Sequence, residues 1–243
     1  MDKIRLDKLL VMSGLASSRE KAQALIAAGQ VFLDGVLTDK AGTPCPLSSA
    51  VEIRGRSCPY VSRGGTKLEA GLEFFNISPA GMICLDAGAS TGGFTDCLLQ
   101  HGAGRVYAID VGYGQLDWKL RQDPRVRPME RTNIRFIIAD DIPEPIDFAV
   151  VDTSFISLKL VIPPILPLFR ATPSILALIK PQFEVGKGKV GKGGVIRDPQ
   201  LHQTVIDDII TGLSLLGLKS RGVAASPLLG PKGNKEFLIH LVG

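Results

Sequence analysis

The run Ile83-Cys84-Leu85-Asp86-Ala87-Gly88-Ala89-Ser90-Thr91-Gly92-Gly93-Phe94-Thr95 has the residue types of a ligand-binding turn. An apolar strand ends on an acid, the chain turns through glycines, and a helix begins. Glycine lets a ligand approach bare backbone, and the first N–H groups of a helix lack intrahelical partners. Spacing sets aside two phosphate ligands. A dinucleotide turn needs G-x-G-x-x-G, whereas Gly88 and Gly92 are four apart. A triphosphate loop needs G-x-x-x-x-G-K-[ST]; Gly88, Gly93 and Thr95 fit, but Phe94 stands in place of the lysine. With no cation for phosphate and an acid at the strand end, the expected ligand is cationic and carries hydroxyls. A second apolar run, Val106-Tyr107-Ala108-Ile109, ends on Asp110, 24 residues after Asp86. Doubly wound folds grip ribose hydroxyls with a carboxylate about 20 residues past the glycine turn. The alternative is that Asp110 merely opens the polar turn Asp110-Val111-Gly112-Tyr113-Gly114.

Four more residues stand at element ends, where an open α/β sheet keeps its ligand crevice. Lys67 opens a helix, Asp152 ends the run Phe148-Ala149-Val150-Val151, Lys180 ends Ile175-Leu176-Ala177-Leu178-Ile179, and Glu236 enters the last apolar run. A lysine at a buried strand end costs desolvation, so its presence asks for a reason. The bland alternative is four unrelated edge charges. Directly after Lys180, the cations Lys187, Lys189, Lys192 and Arg197 interleave with Gly186, Gly188, Gly191, Gly193 and Gly194. Such a basic, glycine-rich loop reads as an RNA clamp that orders on binding, or else as a solvated loop.

Alternating elements must hold these residues. Strands are expected near 82–86, 105–110, 125–128, 136–139, 146–151, 174–179, 219–225 and 235–241, with helices near 66–75, 92–101, 114–122, 157–168 and 199–216. Alternation of this kind makes an α/β fold, a parallel sheet with helices on both faces. The last two strands follow one another without a helix, so the terminal strand is expected antiparallel. Ahead of this body lies a small module. Leu6, Leu9 and Leu10 mark one short helix over Arg5 to Met12, Ser17 with Glu20 reads as a capping box for a second, and that helix stops at Gly29. Short strands follow at Val31-Phe32-Leu33 and Val51-Glu52-Ile53, with Asp34-Gly35 as a turn. The expected division is residues 1–57 as the module, 58–65 as a linker rich in turn formers, and 66–243 as the larger domain.

The motifs resemble known families. D-x-G-x-x-x-G-G-F at 86–94 resembles motif I of the S-adenosylmethionine-dependent methyltransferases, and the alternating body with its reversed last strand is similar to their class I (Rossmann-like) sheet. The module, with R-L-D-K-L-L and S-S-R-E-K-A-Q-A-L-I-A-A-G-Q-V-F-L-D-G, resembles the S-four RNA-binding fold. Lys67, Asp152, Lys180 and Glu236, in that order, resemble the tetrad of FtsJ-type ribose 2′-O-methyltransferases. The whole chain is most similar to the TlyA family, which carries a haemolysin label while acting as rRNA 2′-O-methyltransferases. S-R-G-G-x-K-L at 62–68, V-D-T-S-F-I-S-L at 151–158, L-I-K-P-Q-F-E at 178–184 and G-N-K-E at 233–236 carry that resemblance.

The resemblance implies a cofactor, S-adenosyl-L-methionine, held by Asp86, Gly88, Ala89, Ser90, Thr91, Gly92, Gly93, Phe94, Asp110 and Asn133. It implies RNA contacts at Arg5, Lys8, Arg19, Lys21 and Arg63, besides the loop lysines, and a partner in rRNA or a ribosomal subunit, with cytidine favoured. A ribose hydroxyl is a poor nucleophile until its proton leaves, so the site needs a base and close alignment. Lys180 serves as base only if its pKa falls from about 10.4 towards neutrality. Lys67 and a sulfonium would push it down as like charges, Asp152 and Glu236 would oppose this, and the acids are expected to orient the lysines. Base amino-methylation commonly uses [ND]-P-P-[YFW], but here Asp152-Thr153-Ser154-Phe155 has no proline pair. Cytosine C5 chemistry needs a nucleophilic cysteine, and Cys84 and Cys97 read as core. The rival readings are a non-catalytic RNA-binding or ribosome-assembly factor and a haemolysin.

Composition fits this picture. Residues 1–67 hold ten Lys/Arg against six Asp/Glu, which accounts for the whole net charge of +4 and favours an acidic macromolecular partner for the front of the chain. Hydrophobic residues make up 45% and charged ones 21%, as in a protein with a sizeable core. The longest apolar stretch, Leu158 to Phe169, is broken by Lys159 and prolines and falls short of the roughly 20 residues of a membrane span. Met1-Asp2-Lys3 opens without an apolar signal region, and Cys45, Cys58, Cys84 and Cys97 form no C-x-x-C pair. A cytoplasmic protein with neither metal nor membrane partner is expected.

Overall fold

The computed structural model describes residues 3–27, 29–38, 40–53, 58–186, 194–230 and 233–243. The chain divides into two compact units, Met1–Cys58 and Pro59–Gly243.

In the first unit the order is β1 (Lys3–Arg5), α1 (Leu6–Met12), α2 (Arg19–Ala27), β2 (Val31–Leu33), β3 (Val36–Leu37), β4 (Pro44–Pro46) and β5 (Val51–Ile53). Leu6, Leu9 and Leu10 recur at helical spacing and bury one face of α1 against Ala22 and Ile26 of α2, with Val31 and Cys45 closing the core. β1 pairs with β4, and β2 is the centre of the sheet β3-β2-β5. Asp34 and Gly35 form the expected turn; both take positive φ, +49° and +80°, as a two-residue hairpin of this twist requires. The helix cap differs from expectation by one residue. The Lys21 N–H donates to Ser18 Oγ at 3.2 Å, so Ser18 rather than Ser17 caps α2. Glu20 then stands too early in the helix to return the bond that a capping box demands.

The second unit runs α3 (Arg63–Phe74), β6 (Ile83–Ala87), α4 (Gly93–Gln100), β7 (Arg105–Ile109), α5 (Trp118–Gln122), β8 (Val126–Met129), β9 (Phe148–Val151), α6 (Leu158–Val161), β10 (Ser174–Ile179), α7 (Pro181–Glu184), α8 (Pro199–Ser214), β11 (Lys219–Ala225) and β12 (Phe237–Val242). Seven strands form one sheet in the order β11-β12-β10-β9-β6-β7-β8. Neighbours from β10 to β8 are parallel, and β12 is antiparallel to both β10 and β11, as the helix-free connection requires. Central strands are apolar along their length, Phe148–Val151 and Ile175–Ile179 being buried throughout, because helices cover both faces.

Three expectations change. The strand expected near 136–139 is absent; two 3-10 turns, Ile134–Phe136 and Ala139–Asp141, occupy the region. Ile134 and Ile137 point inward while Phe136 and Ile138 are exposed, a spacing of three that suits a 3-10 turn and not a pleat. The helix expected at 114–122 is only Trp118–Gln122, capped by the Asp117 side chain, with Gly114 at φ +70° ahead of it. The helix expected at 157–168 yields after one turn to a 3-10 segment, Pro163–Leu168, since its prolines bring no N–H to an α-helical ladder.

Within the stretch expected as a linker, Arg63, Gly64 and Gly65 belong to α3, and Tyr60 is buried with its hydroxyl donating to Glu69 at 2.7 Å. A Cβ on Gly65 would lie 2.2 Å from the Tyr60 ring. In a helix interior, Gly to Ala ordinarily stabilises by about 1 kcal/mol. Here overpacking outweighs propensity, at about 1–3 kcal/mol. Gly65→Ala is therefore expected to lower the midpoint of thermal unfolding; an unchanged or raised midpoint would show that Tyr60 moves aside freely.

Candidate active site

The glycine turn follows β6 and feeds α4, with Gly88, Ser90 and Gly92 at φ +92°, +49° and +96°. Its glycines are filled by protein. A Cβ on Gly88 would meet the Asp152 carbonyl oxygen at 2.7 Å, one on Gly92 the Leu120 side chain at 2.2 Å, and one on Gly93 the Ser62 hydroxyl at 2.2 Å. Bare backbone thus lets β6 meet the end of β9, and lets α4 meet α5 and the start of α3. Ala89 and Phe94 are buried as well. Ser90 and Thr91 are exposed at the tip, with Gly88 and Asp110 half-buried beside them.

The two acids have different surroundings. Asp110 accepts from the Ser90 N–H at 2.8 Å through Oδ2 and from the Gly112 N–H at 2.7 Å through Oδ1, tying the end of β7 to the turn. Asp86 is fully buried; its Oδ2 accepts from the Thr95 hydroxyl at 2.6 Å and its Oδ1 has no partner. Burial first, then the neighbouring Asp152 and Asp110, push the Asp86 carboxyl up to about 7 against the pull of the Thr95 bond. Asn133 caps the first 3-10 turn, its side-chain oxygen accepting from the Arg135 N–H at 3.2 Å.

Lys67, Asp152, Lys180 and Glu236 form two ion pairs. Neighbouring strands supply three of the four, since Val151 is in register with Ala177, and Ile179 with Phe237. Lys180 Nζ lies 2.5 Å from Asp152 Oδ1, off the angle of a hydrogen bond, and donates to Ser154 Oγ at 3.0 Å. Lys67 Nζ, from α3, donates to Glu236 Oε2 at 2.6 Å. Both lysines are only 8% exposed. Glu236 Oε1 is buried without a partner beside Gly230, where a Cβ would come within 1.9 Å of it. Asp152 also borders the glycine turn, its N–H donating to the Ala87 carbonyl at 2.9 Å. The arrangement offers fixed cations and carboxylate proton acceptors at one sheet edge, next to the glycine turn.

Sequence reasoning missed Phe155. It is 89% exposed, holds φ +65°, and its ring lies 4.8 Å from that of Phe183 on α7. A large apolar side chain directly after the polar run Asp152-Thr153-Ser154 was the available signal. Among the residues expected to meet RNA, Lys8 and Lys21 are exposed, Arg63 donates to the Leu229 carbonyl at 2.9 Å, and Arg5 and Arg19 both reach Asp7. Lys187, Lys189 and Lys192 lie outside the described residues. Among the described residues no cluster of ligands for a metal ion occurs, and no helix is long and apolar enough to cross a membrane.

A parallel sheet with a reversed strand, a glycine turn after its first strand and an acid after its second define the methyltransferase class. Residues 60–242 match the model of the FtsJ-like methyltransferases and residues 4–51 that of the S4 domain. The chain belongs to the FtsJ-like methyltransferase family. It is 49% identical over 238 residues to the 16S/23S rRNA (cytidine-2'-O)-methyltransferase TlyA of Mycobacterium tuberculosis, covering 98% of this chain and 89% of that protein. A solved structure from Streptococcus thermophilus, described as a hemolysin, is 42% identical with a TM-score of 0.79, covering 100% of this chain and 89% of that one. A SAM dependent methyltransferase from Aquifex aeolicus shares the fold at 18% identity, with a TM-score of 0.52 over 74% of this chain and 93% of that one.

The raised Asp86 carboxyl has a consequence for stability. The folded state keeps this proton up to about pH 7, whereas an unfolded aspartate releases it near pH 4. The folded state therefore binds more protons in that window, and its stability falls as pH rises from about 4 to about 7. Asp86→Asn is expected to flatten this decline, by a few kcal/mol at most over the window. Thermal unfolding of both proteins at pH 5 and pH 8 checks it; equal declines would refute the assignment.

Proposed function

We propose that this protein transfers a methyl group from S-adenosyl-L-methionine to a ribose 2′-hydroxyl of rRNA, with cytidine as the acceptor nucleoside and a ribosomal subunit as the substrate. The observation that carries this reading is the double lysine–carboxylate pairing at neighbouring strand ends, one member of which, Asp152, is bonded to the glycine turn. Support comes from the M. tuberculosis relative, a 16S/23S rRNA (cytidine-2'-O)-methyltransferase. Residues 1–57 act in this reading as the RNA-binding domain and Pro59–Gly243, which takes in the end of the expected linker through Tyr60 and α3, as the methyltransferase domain.

The residues present fit the cofactor. Ser90 and Thr91 are exposed at the turn, Asp110 keeps acceptor capacity on both oxygens for hydroxyls, and Asp86, its Oδ1 without a partner and its carboxyl raised to about 7 by burial, would be drawn into its charged form by a cationic ligand. When bound, the cofactor supplies a sulfonium-activated methyl group. Lys180 accepts the 2′-hydroxyl proton after its ammonium releases its own, for which the partnerless Asp152 Oδ1 at 2.5 Å is the nearest acceptor, and Ser154 holds the amine at the strand end. Lys67, held by Glu236, stabilises negative charge on the attacking oxygen. Phe155 offers a nucleobase an exposed ring beside Lys180, because unpaired RNA bases stack on aromatic side chains. Arg5, Lys8, Arg19, Lys21, Arg63 and the loop lysines contact phosphates.

Turnover measured on ribosomal subunits, with cofactor binding followed by calorimetry, tests the reading. Lys180→Ala is expected to lower turnover by roughly 10²–10⁴ with cofactor affinity near wild type. Lys180→Arg should fail almost as badly, since a guanidinium keeps its proton at any workable pH. An active arginine variant would show that position 180 supplies charge alone. Phe155→Ala is expected to cost about tenfold or more in kcat/KM for RNA, the scale of one lost stacking contact, without altering cofactor affinity. If wild-type protein binds cofactor yet methylates no ribosomal RNA, the proposal falls.

A further inference from the structure

Asp7 has no exposed surface and stands in the first turn of α1. Four donors converge on it. Oδ1 accepts from Arg5 Nε at 3.0 Å, and Oδ2 accepts from an Arg5 terminal nitrogen at 2.9 Å, an Arg19 terminal nitrogen at 3.0 Å and Gln23 Nε2 at 3.0 Å. Arg5 ends β1 and Arg19 begins α2, so one buried carboxylate joins two separate elements. The side chains of the two arginines stay 48% and 49% exposed. Two guanidinium nitrogens at 2.9 and 3.0 Å from the same oxygen are at most 5.9 Å apart. The Arg5 head group also lies close over Gly42, where a Cβ would come within 3.3 Å of it. These contacts hold the Asp7 carboxyl well below the usual carboxylate range, the Arg5 bond contributing most.

We propose that Asp7 is a positioning residue that joins Arg5 and Arg19 into a single fork for one RNA phosphate. Two cations share one buried anion, so the cluster carries surplus positive charge towards solvent. Each guanidinium has five N–H donors, and Asp7 engages two from Arg5 and one from Arg19, leaving the others for a second acceptor. A phosphate accepts from paired guanidinium N–H groups with matching geometry. Free arginine side chains lose rotamer freedom on binding, whereas arginines already fixed by a carboxylate lose less, which strengthens the contact. Lys8 and Lys21, exposed nearby in sequence, carry charge without this geometry. The inference rests on the small unit being the RNA-binding domain.

The test uses the full chain and a fluorescein-labelled 23S rRNA hairpin, with affinity followed against salt. Asp7→Asn raises the net charge from +4 to +5, so unspecific electrostatics demands tighter binding. The fork demands the opposite sign: affinity reduced about tenfold, with the slope of log affinity against log salt shallower by about one contact. Arg5→Lys keeps the charge and one contact to Asp7 but breaks the fork, and is expected to weaken binding several-fold with unfolding temperature near wild type. This variant decides the matter if Asp7→Asn does not fold. Arg19→Gln should weaken binding, and adding Asp7→Asn to it should cost little more. Tight binding by Asp7→Asn or by Arg5→Lys, with Arg19→Gln weak, overturns the fork and leaves the small unit's role standing. Wild-type affinity in every variant, Arg19→Gln included, removes both.

Discussion

Two largely buried lysines share a sheet edge with two carboxylates, and the second unit is arranged around that constraint. A buried charge without a partner costs several kcal/mol, so each lysine needs an acid at contact distance. Asp152 and Lys180 meet because β9 and β10 are adjacent parallel strands that end side by side. Glu236 reaches the same edge because β12 runs backwards, so its first residues lie where its neighbours finish. A parallel last strand would have carried the Glu236 position to the opposite edge. Lys67 completes the set from α3, whose close packing on α4 depends on Gly93 lacking a side chain.

The glycine turn has a double role under the same constraint. Gly88 lets the end of β6 touch the Asp152 carbonyl, so the glycine turn and the paired charges form one continuous edge. Asp110 then draws the turn against β7 through the Ser90 N–H. Beneath lies Asp86, with one oxygen matched and the other unmatched. An acid held near neutrality by burial responds to a cation placed above it.

In the small unit the same physics appears with its sign exchanged. There one buried carboxylate collects two arginines, and the surplus is positive and faces solvent. At the sheet edge the charges are matched one to one and largely withdrawn from solvent.

Much of this was legible in the chain. Apolar runs ending on Asp86, Asp110, Asp152 and Lys180 located four strand ends, since continuous apolar strands are what a doubly covered sheet requires. The connection between β11 and β12 without a helix announced the reversed strand, and Asp34-Gly35 announced its hairpin. Near Ile137 the sequence misled, because a few apolar residues suit a pleat or a 3-10 turn equally and only packing decides between them. Residue types and their order thus determined which groups reach the sheet edge. Tertiary structure alone decided which lysine pairs with which acid, that the glycines face protein, that Phe155 is left exposed, and that Arg5 and Arg19 meet on Asp7. Each of these depends on distances between segments far apart in the chain, and such distances are set by packing rather than by local pattern.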